Sequence, residues 1–174
     1  MAFLFRKSID GSSTPPVNLY AVGKNSIVFQ VGDLIRINTS GFADLVDTGE
    51  CIGGVCVGVV DSNGLPIAPD SGTMDTWTMG GSNQTVTYAQ VVFIPALPSY
   101  LFYNDADGTL TRAMEFGYFD TNDENDVDIA RYTATWSAQV QLISRDPDGD
   151  ADASKGLFRI VESQFGQIGV TQSA

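Results

Sequence analysis

The chain has 174 residues, with 9 Lys and Arg against 21 Asp and Glu, no His and a formal net charge of −12. The lack of histidine excludes zinc sites with histidine ligands, Ser–His–Asp triads and histidine acid–base pairs. The few basic residues are scattered along the sequence, whereas binding to a phosphate backbone needs clustered Lys and Arg. We therefore expect no nucleic acid partner.

The composition favours an all-β fold. Asp accounts for 17 of the acidic residues and Glu for 4, while Val, Ile and Thr together supply 41 residues and Gly another 18. Asp bonds to nearby backbone in turns, Glu suits helix surfaces, and β-branched residues suit strands. We expect an antiparallel β-barrel or sandwich with little or no helix over residues 19–174, as one domain or as two small lobes split near residue 95.

An extended N-terminal arm is predicted over residues 1–18, because Gly, Ser, Thr and Pro fill positions 11–16. In front of this stretch, three apolar residues precede the one adjacent pair of basic residues in the sequence. The segment either adds an edge strand to its own domain or packs on a neighbouring subunit or another protein surface. On the second interpretation the contact residues are Phe3, Leu4, Phe5, Arg6 and Lys7.

The apolar stretch at the start of the chain is too short for a signal peptide. No run of apolar residues in the sequence approaches the length of a membrane span. We expect a protein that is made and used in the cytoplasm without contact with a membrane.

Period-two alternation predicts the first strands, since side chains along a strand point to opposite faces in turn. In 33–38, Leu34 faces one side while Ile35 and Ile37 face the other. The run 51–60 ends in apolar, β-branched residues, which suits a strand buried on both faces. The strands predicted in this half lie in 18–31, with a break at 23–25, and in 33–38, 43–47 and 51–60.

Both cysteines lie within the run 51–60. If this run is one continuous strand, Cys51 and Cys56 are about 16 Å apart on opposite faces, too far for a disulfide. If Gly53 and Gly54 form a two-residue hairpin turn, the cysteines face each other and a disulfide is feasible. We favour the continuous strand with both thiols buried.

The segment 62–83 is a long connection rich in Gly and Pro that carries Trp77. Long loops of this kind are often functional, so Trp77 is a candidate interface residue; alternatively, Trp77 and Met79 cover one end of the fold. A carbohydrate-binding face is a further interpretation, built from aromatic residues that otherwise belong to the core. Its candidate residues are Trp77, Tyr100, Phe102, Tyr103 and Trp136.

The second half of the chain also alternates. Its predicted strands lie in 84–95, in 100–103 with a returning strand at 110–114, in 131–145 and in 156–164. The longest, 131–145, alternates apolar with polar residues, which indicates that one face meets solvent or another subunit.

Two Asp-rich loops, 120–128 and 146–152, carry the carboxylates that calcium prefers. An EF-hand loop counted from Asp146 would need Gly where Ala151 stands and an acid where Leu157 stands. The loop 120–128 also lacks glycine. Solvated turns explain both loops, and no metal site is predicted.

Paired carboxylates occur throughout the chain and so indicate no particular hydrolase. The glycines at 53, 54 and 58 are not followed by the Lys-Ser/Thr of a phosphate-binding loop. We therefore expect neither enzyme activity nor a cofactor.

Short elements follow one another in a distinctive order over residues 31–165: Gly32-Asp33 before a strand, Gly54-Val55 and Gly58-Val59 in the next apolar run, then Ala106-Asp107 with Leu110. This order resembles the capsid decoration (cement) proteins of tailed bacteriophages. The resemblance implies a structural virion protein, a homotrimer, that binds the major capsid protein on the outer capsid surface and stabilises the shell. The arm and Trp77 would then supply its contacts.

Two alternatives remain beside a decoration protein. Another virion component, such as a head fibre base or a tail protein, would share the all-β architecture but attach at few positions. A carbohydrate-binding β-module would use the aromatic residues named above.

Overall fold

A computed structural model describes residues 3–9, 11–13, 18–70, 75–80, 89–122, 125–134, 138–145 and 154–165 of the chain. In these ranges the protein is nearly all β, with two short 3-10 helices at Arg112–Met114 and Ile129–Arg131. The strands are β1 (Leu4–Ser8), β2 (Leu19–Val22), β3 (Val28–Gln30), β4 (Leu34–Ile37), β5 (Ala43–Leu45), β6 (Gly54–Val60), β7 (Thr76–Thr78), β8 (Gln90–Pro95), β9 (Tyr100–Asp105), β10 (Tyr118–Phe119), β11 (Val140–Arg145) and β12 (Lys155–Ile160).

The strands form three antiparallel sheets. Sheet A has the order β1-β9-β12-β11-β10, sheet B the order β2-β8-β6-β4-β5, and sheet C contains β3 and β7. Sheets A and B pack as a sandwich, and no closed barrel forms. The all-β prediction is confirmed, in its sandwich form.

Sheet B is the middle layer, because hydrophobic cores lie on both of its faces. On one face, Val55 and Ile94 pack into a core shared with residues of sheet A such as Phe102. On the other face, Cys56 and Phe93 pack against a core that includes residues of sheet C. Period-two alternation explains both, since successive residues of β6 and β8 point to opposite cores. The prediction that 51–60 is buried on both faces therefore holds for most of β6, but Val57 is 37% exposed.

The two halves of the chain contribute to different sheets. Strands β2 to β8 build sheets B and C, while β9 to β12 build sheet A together with β1. The change of sheet falls after β8, near residue 95, and the two halves share the core between sheets A and B.

Two predicted strands in the second half are corrected. Residues 112–114 of the expected returning strand form a 3-10 helix. Among the described residues of 131–145, Val140–Arg145 is a strand, and Arg131 ends a 3-10 turn that begins where Asp128 accepts a hydrogen bond from the backbone N–H of Ala130.

The cysteine prediction is partly right. Both thiols are free, so the disulfide does not form. However, β6 begins only at Gly54, and Cys51 precedes it and is half-buried rather than buried. Cys56 is fully buried, and this burial raises the pKa of its thiol to about 12.

Candidate interaction surface on sheet A

The start of the chain belongs to the sandwich. β1 pairs antiparallel with β9, and Phe3 is fully buried with its ring edge-on to Phe158 at 6.5 Å. Phe5 packs edge-on against Tyr100 and Phe102. Of the two interpretations of the N-terminal segment, the structure agrees with the first: the segment adds an edge strand to its own domain. Phe3 thus keeps no surface for contact with another chain.

Leu4, Arg6 and Lys7 remain exposed on β1, with Leu4 at 49%. The register shifts between Phe5 and Lys7, which leaves Arg6 without a partner in β9, as at a β-bulge. Among the residues that the structure describes, no carboxylate forms a salt bridge with Arg6 or Lys7.

Strand register places Lys7 on the outer face of sheet A. Lys7 lies opposite Leu101 in β9, whereas its neighbour Ser8 lies opposite Tyr100, which points into the core. The same alternation turns the odd-numbered residues of β12 outward, since Phe158 and Ile160 are core residues. We call the resulting surface the basic face: Leu4, Lys7, Tyr103, Lys155, Leu157 and Arg159.

Basic residues are concentrated on the strands of sheet A. Its strands carry five of the nine Lys and Arg residues of the chain and one of the 21 acids, Asp105. Asp105 lies opposite Lys155 in the register of β9 and β12. The basic residues look scattered in the sequence because β1 and β12 stand at opposite ends of the chain. The sheet brings them together on either side of β9.

Arg159 is the basic residue held most firmly on this face. Its guanidinium donates a hydrogen bond to the side-chain carbonyl oxygen of Gln141 on the neighbouring strand β11. Its Nε is buried and has no hydrogen-bond acceptor within the described part of the chain. The Arg159 charge is thus positioned by a neutral amide rather than neutralised by a carboxylate.

Trp77 lies away from this surface, in β7 of sheet C. It is 5% exposed, packs in the core between sheets B and C, and donates its indole N–H to the carbonyl oxygen of Ile67 at 2.9 Å. This placement matches the interpretation in which Trp77 and Met79 cover the fold. Trp136, the other tryptophan proposed for a sugar-binding face, lies outside the described residues.

The connection beyond sheet B carries acidic residues and no basic ones. The connection between β6 and β7 carries Asp61, Asp70 and Asp75, and the sequence has no Lys or Arg from position 37 to 111. Asp61 is fully exposed, and backbone N–H donors, Leu65 foremost, lower the pKa of its carboxyl group. Ile67 of this connection packs in the core that also includes sheet C. Sheet B therefore separates the acidic connection from sheet A.

The Asp-rich loops give no metal site in the described ranges, where no three His, Cys, Asp or Glu side chains gather around a common point. In the loop 120–128, Asp120 accepts from the backbone of Gln139, and Asp128 accepts from Ala130 and pairs with Arg131 at 3.0 Å. The loop 146–152 lies outside the described residues.

For the described residues, no helix is both long and apolar enough to cross a membrane.

Comparison of the chain with known proteins found no matching family model, no matching curated protein and no matching solved structure.

Proposed function

We propose that this chain is a structural virion protein that binds the outside of a phage capsid and stabilises it, as a decoration protein. The observation that carries the proposal is the first strand: Arg6 and Lys7 are exposed, have no salt bridge among the described residues, and lie beside exposed Leu4 on the edge of a sheet. The resemblance in the order of its short sequence elements supports the same role.

The edge strand supplies a prepared contact. β1 is fixed to β9 by backbone pairing and to the core by Phe3, so its exposed side chains are ordered before a partner arrives. Such preorganisation lowers the entropy cost of binding. The bulge and the cations of β1 discourage the addition of another strand, which leaves recognition to side chains.

Stabilisation would follow from repetition. Each bound copy bridges neighbouring subunits of the major capsid protein, and a contact of modest area is repeated at every equivalent site of the shell. A homotrimer would bring three copies of the edge to one site and raise the effective affinity further.

Co-sedimentation with shells assembled from the major capsid protein of the same virus tests the proposal. We expect the wild-type chain to sediment with shells at a copy number that matches the shell symmetry. The double variant Arg6→Glu/Lys7→Glu should lose this binding, and its unfolding in urea should match the wild type. Absence of wild-type binding, or binding at only one position per particle, would contradict the decoration role.

Substitution of Arg6 and Lys7 tests the contact better than removal of the N-terminal segment does. Removing residues 1–16 would delete β1 from sheet A and Phe3 from the core. A truncated chain could therefore fail to bind simply because it does not fold. Light scattering on the full chain gives the native mass, for which the proposal expects a trimer.

A further inference from the structure

We infer that the whole basic face, and not β1 alone, is the docking surface, and that its partner is an acidic protein surface. The inference rests on the proposed function and deepens it, because it names the chemistry of the partner and the orientation of the bound molecule. The face spans β1, β9 and β12 and contains Leu4, Lys7, Tyr103, Lys155, Leu157 and Arg159.

Charge complementarity identifies the partner as acidic. The strands of sheet A hold five basic residues and one acid in a chain whose net charge is −12. In the described part of the chain, neither Lys7 nor Lys155 has a salt-bridge partner, and Arg159 bonds to the neutral Gln141. Arg6 of β1 likewise has no salt bridge in these ranges, whereas Arg36 and Arg145 pair with carboxylates. Within the described ranges, the basic face thus carries cations that form no salt bridge, and Asp105, opposite Lys155, is the one acid of its strands.

Apolar side chains between the cations favour a protein partner. The register aligns Leu4 with Tyr103 and Tyr103 with Leu157, so one row across three strands is apolar and exposed or half-buried. Tyr and Arg are enriched at protein interfaces, where apolar contacts at the centre combine with polar contacts around them.

The layer order fixes the orientation of the bound molecule. Sheet B and the core beyond it separate the basic face from the acidic connection that carries Asp61, Asp70 and Asp75. Docking through sheet A turns this acidic side towards solvent. Like-charge repulsion then keeps the exposed side of the molecule away from the same acidic partner.

Chromatography of the full chain on immobilised poly-L-glutamate at pH 7 and low salt tests the chemistry of the face. A protein with a net charge of −12 should flow through an anionic matrix unless its positive charge is segregated. We expect retention, with release once salt shortens the Debye length below about 10 Å. Lys155→Glu should elute at roughly half the wild-type salt concentration, because it removes one of the few charges that make the contact.

Arg112→Glu is the matched control. Arg112 is exposed in a 3-10 helix outside sheet A, and its substitution changes the net charge of the chain by the same amount. The variant should elute with the wild type. Flow-through of the wild type, an equal shift with Arg112→Glu, or tighter retention on duplex DNA–cellulose than on poly-L-glutamate would overturn the inference.

The outcome is separable from that of the shell experiment. Retention on poly-L-glutamate without binding to shells would overturn the decoration role and leave the acidic-surface inference standing. Shell binding that neither Lys155→Glu nor added salt weakens would overturn the inference and leave the decoration role standing.

Discussion

Sheets A and B have the same number of strands and the same antiparallel pairing, but they differ in what their faces meet. Both faces of sheet B are covered by hydrophobic cores. Sheet A has a core on one face and the basic face on the other. The difference separates a framework sheet, whose exposed large apolar side chains among the described strand residues are Tyr20 and Val57, from a sheet with one open face, which is the surface proposed for contact.

Charge follows the same division. The strands of sheet B carry one Arg and one Asp, and the buried Asp44 pairs with Lys24 at 2.6 Å and with Arg36 at 3.8 Å. Pairing is required there, because an unpaired charge is costly to bury. On the outer face of sheet A, Lys7 and Lys155 are exposed to solvent, whereas Arg159 is half-buried and bonds to the neutral Gln141.

The largest expected effect on stability comes from a substitution on the core face of sheet A. Phe158 is fully buried against the rings of Phe3 and Phe119, so Phe158→Ala should lower the free energy of unfolding by about 3–5 kcal/mol. The neighbouring Leu157→Ala, on the basic face, should cost about 1 kcal/mol, because Leu157 is only half-buried. Urea unfolding measures both, and equal losses would remove the distinction between the faces.

A smaller effect is expected from sheet B, where neighbouring strands leave no room for a methyl group. A Cβ at Gly54 would collide with the carbonyl oxygen of Ile94 and the ring of Phe93 in β8. Gly54→Ala should therefore destabilise the fold by about 1–3 kcal/mol. Gly108→Ala is the control, since its Cβ meets only the Ile129 side chain at ordinary contact distance. Equal unfolding temperatures for the two variants would contradict this prediction.

Alkaline pH should weaken the framework through Cys56. Burial raises the pKa of its thiol to about 12, so the folded chain keeps a proton that the unfolded chain releases above about pH 8.5. The unfolded state then binds fewer protons, and stability falls as pH rises from about 8.5 towards 12. At about pH 9.5 the loss should be on the order of 1 kcal/mol.

Cys56→Ala isolates this contribution, because the variant lacks the titrating group. Urea unfolding of the two proteins at neutral and alkaline pH should show a steeper decline in the wild type. Parallel declines would assign the alkaline loss to other groups. A thiol reagent should also modify the half-buried Cys51 in the folded protein and reach Cys56 only after unfolding.

The smallest effect on stability is expected at the two exposed cations of β1. Arg6→Ala and Lys7→Ala remove exposed side chains without a salt bridge among the described residues, so each should change the free energy of unfolding by about 0.5 kcal/mol or less. A larger loss in urea unfolding would mean that these cations support the sheet rather than face a partner.

Local sequence patterns predicted the framework but not the contact surface. The alternation around Leu34 and Ile35 identified β4 and its two faces because period two is a property of the strand itself. The pairing of β1 with β9 depends on residues far apart in the sequence, and no local pattern contains it. The basic residues at alternate positions of β12 were the available signal for the basic face, although their proximity to Lys7 required the strand order.

The alternation in 131–145 predicted a longer strand than the structure contains in its described residues. Its polar and apolar residues alternate throughout, yet within its described residues the strand covers Val140–Arg145. At the start, the capping carboxylate of Asp128 favours a 3-10 turn over Ile129–Arg131. This hydrogen bond accounts for the turn that includes Arg131, which a period-two pattern does not reveal.

Lysine acetylation of the shell-bound protein, followed by mass spectrometry, tests the central claim most directly. The chain has three lysines: Lys7 and Lys155 lie on the basic face, and Lys24 pairs with Asp44 at the end of β2 with its side chain 47% exposed. We predict that binding to shells protects Lys7 and Lys155 and leaves the acetylation rate of Lys24 unchanged. Protection of Lys24 alone, or unchanged rates at Lys7 and Lys155 in bound protein, would contradict docking through sheet A.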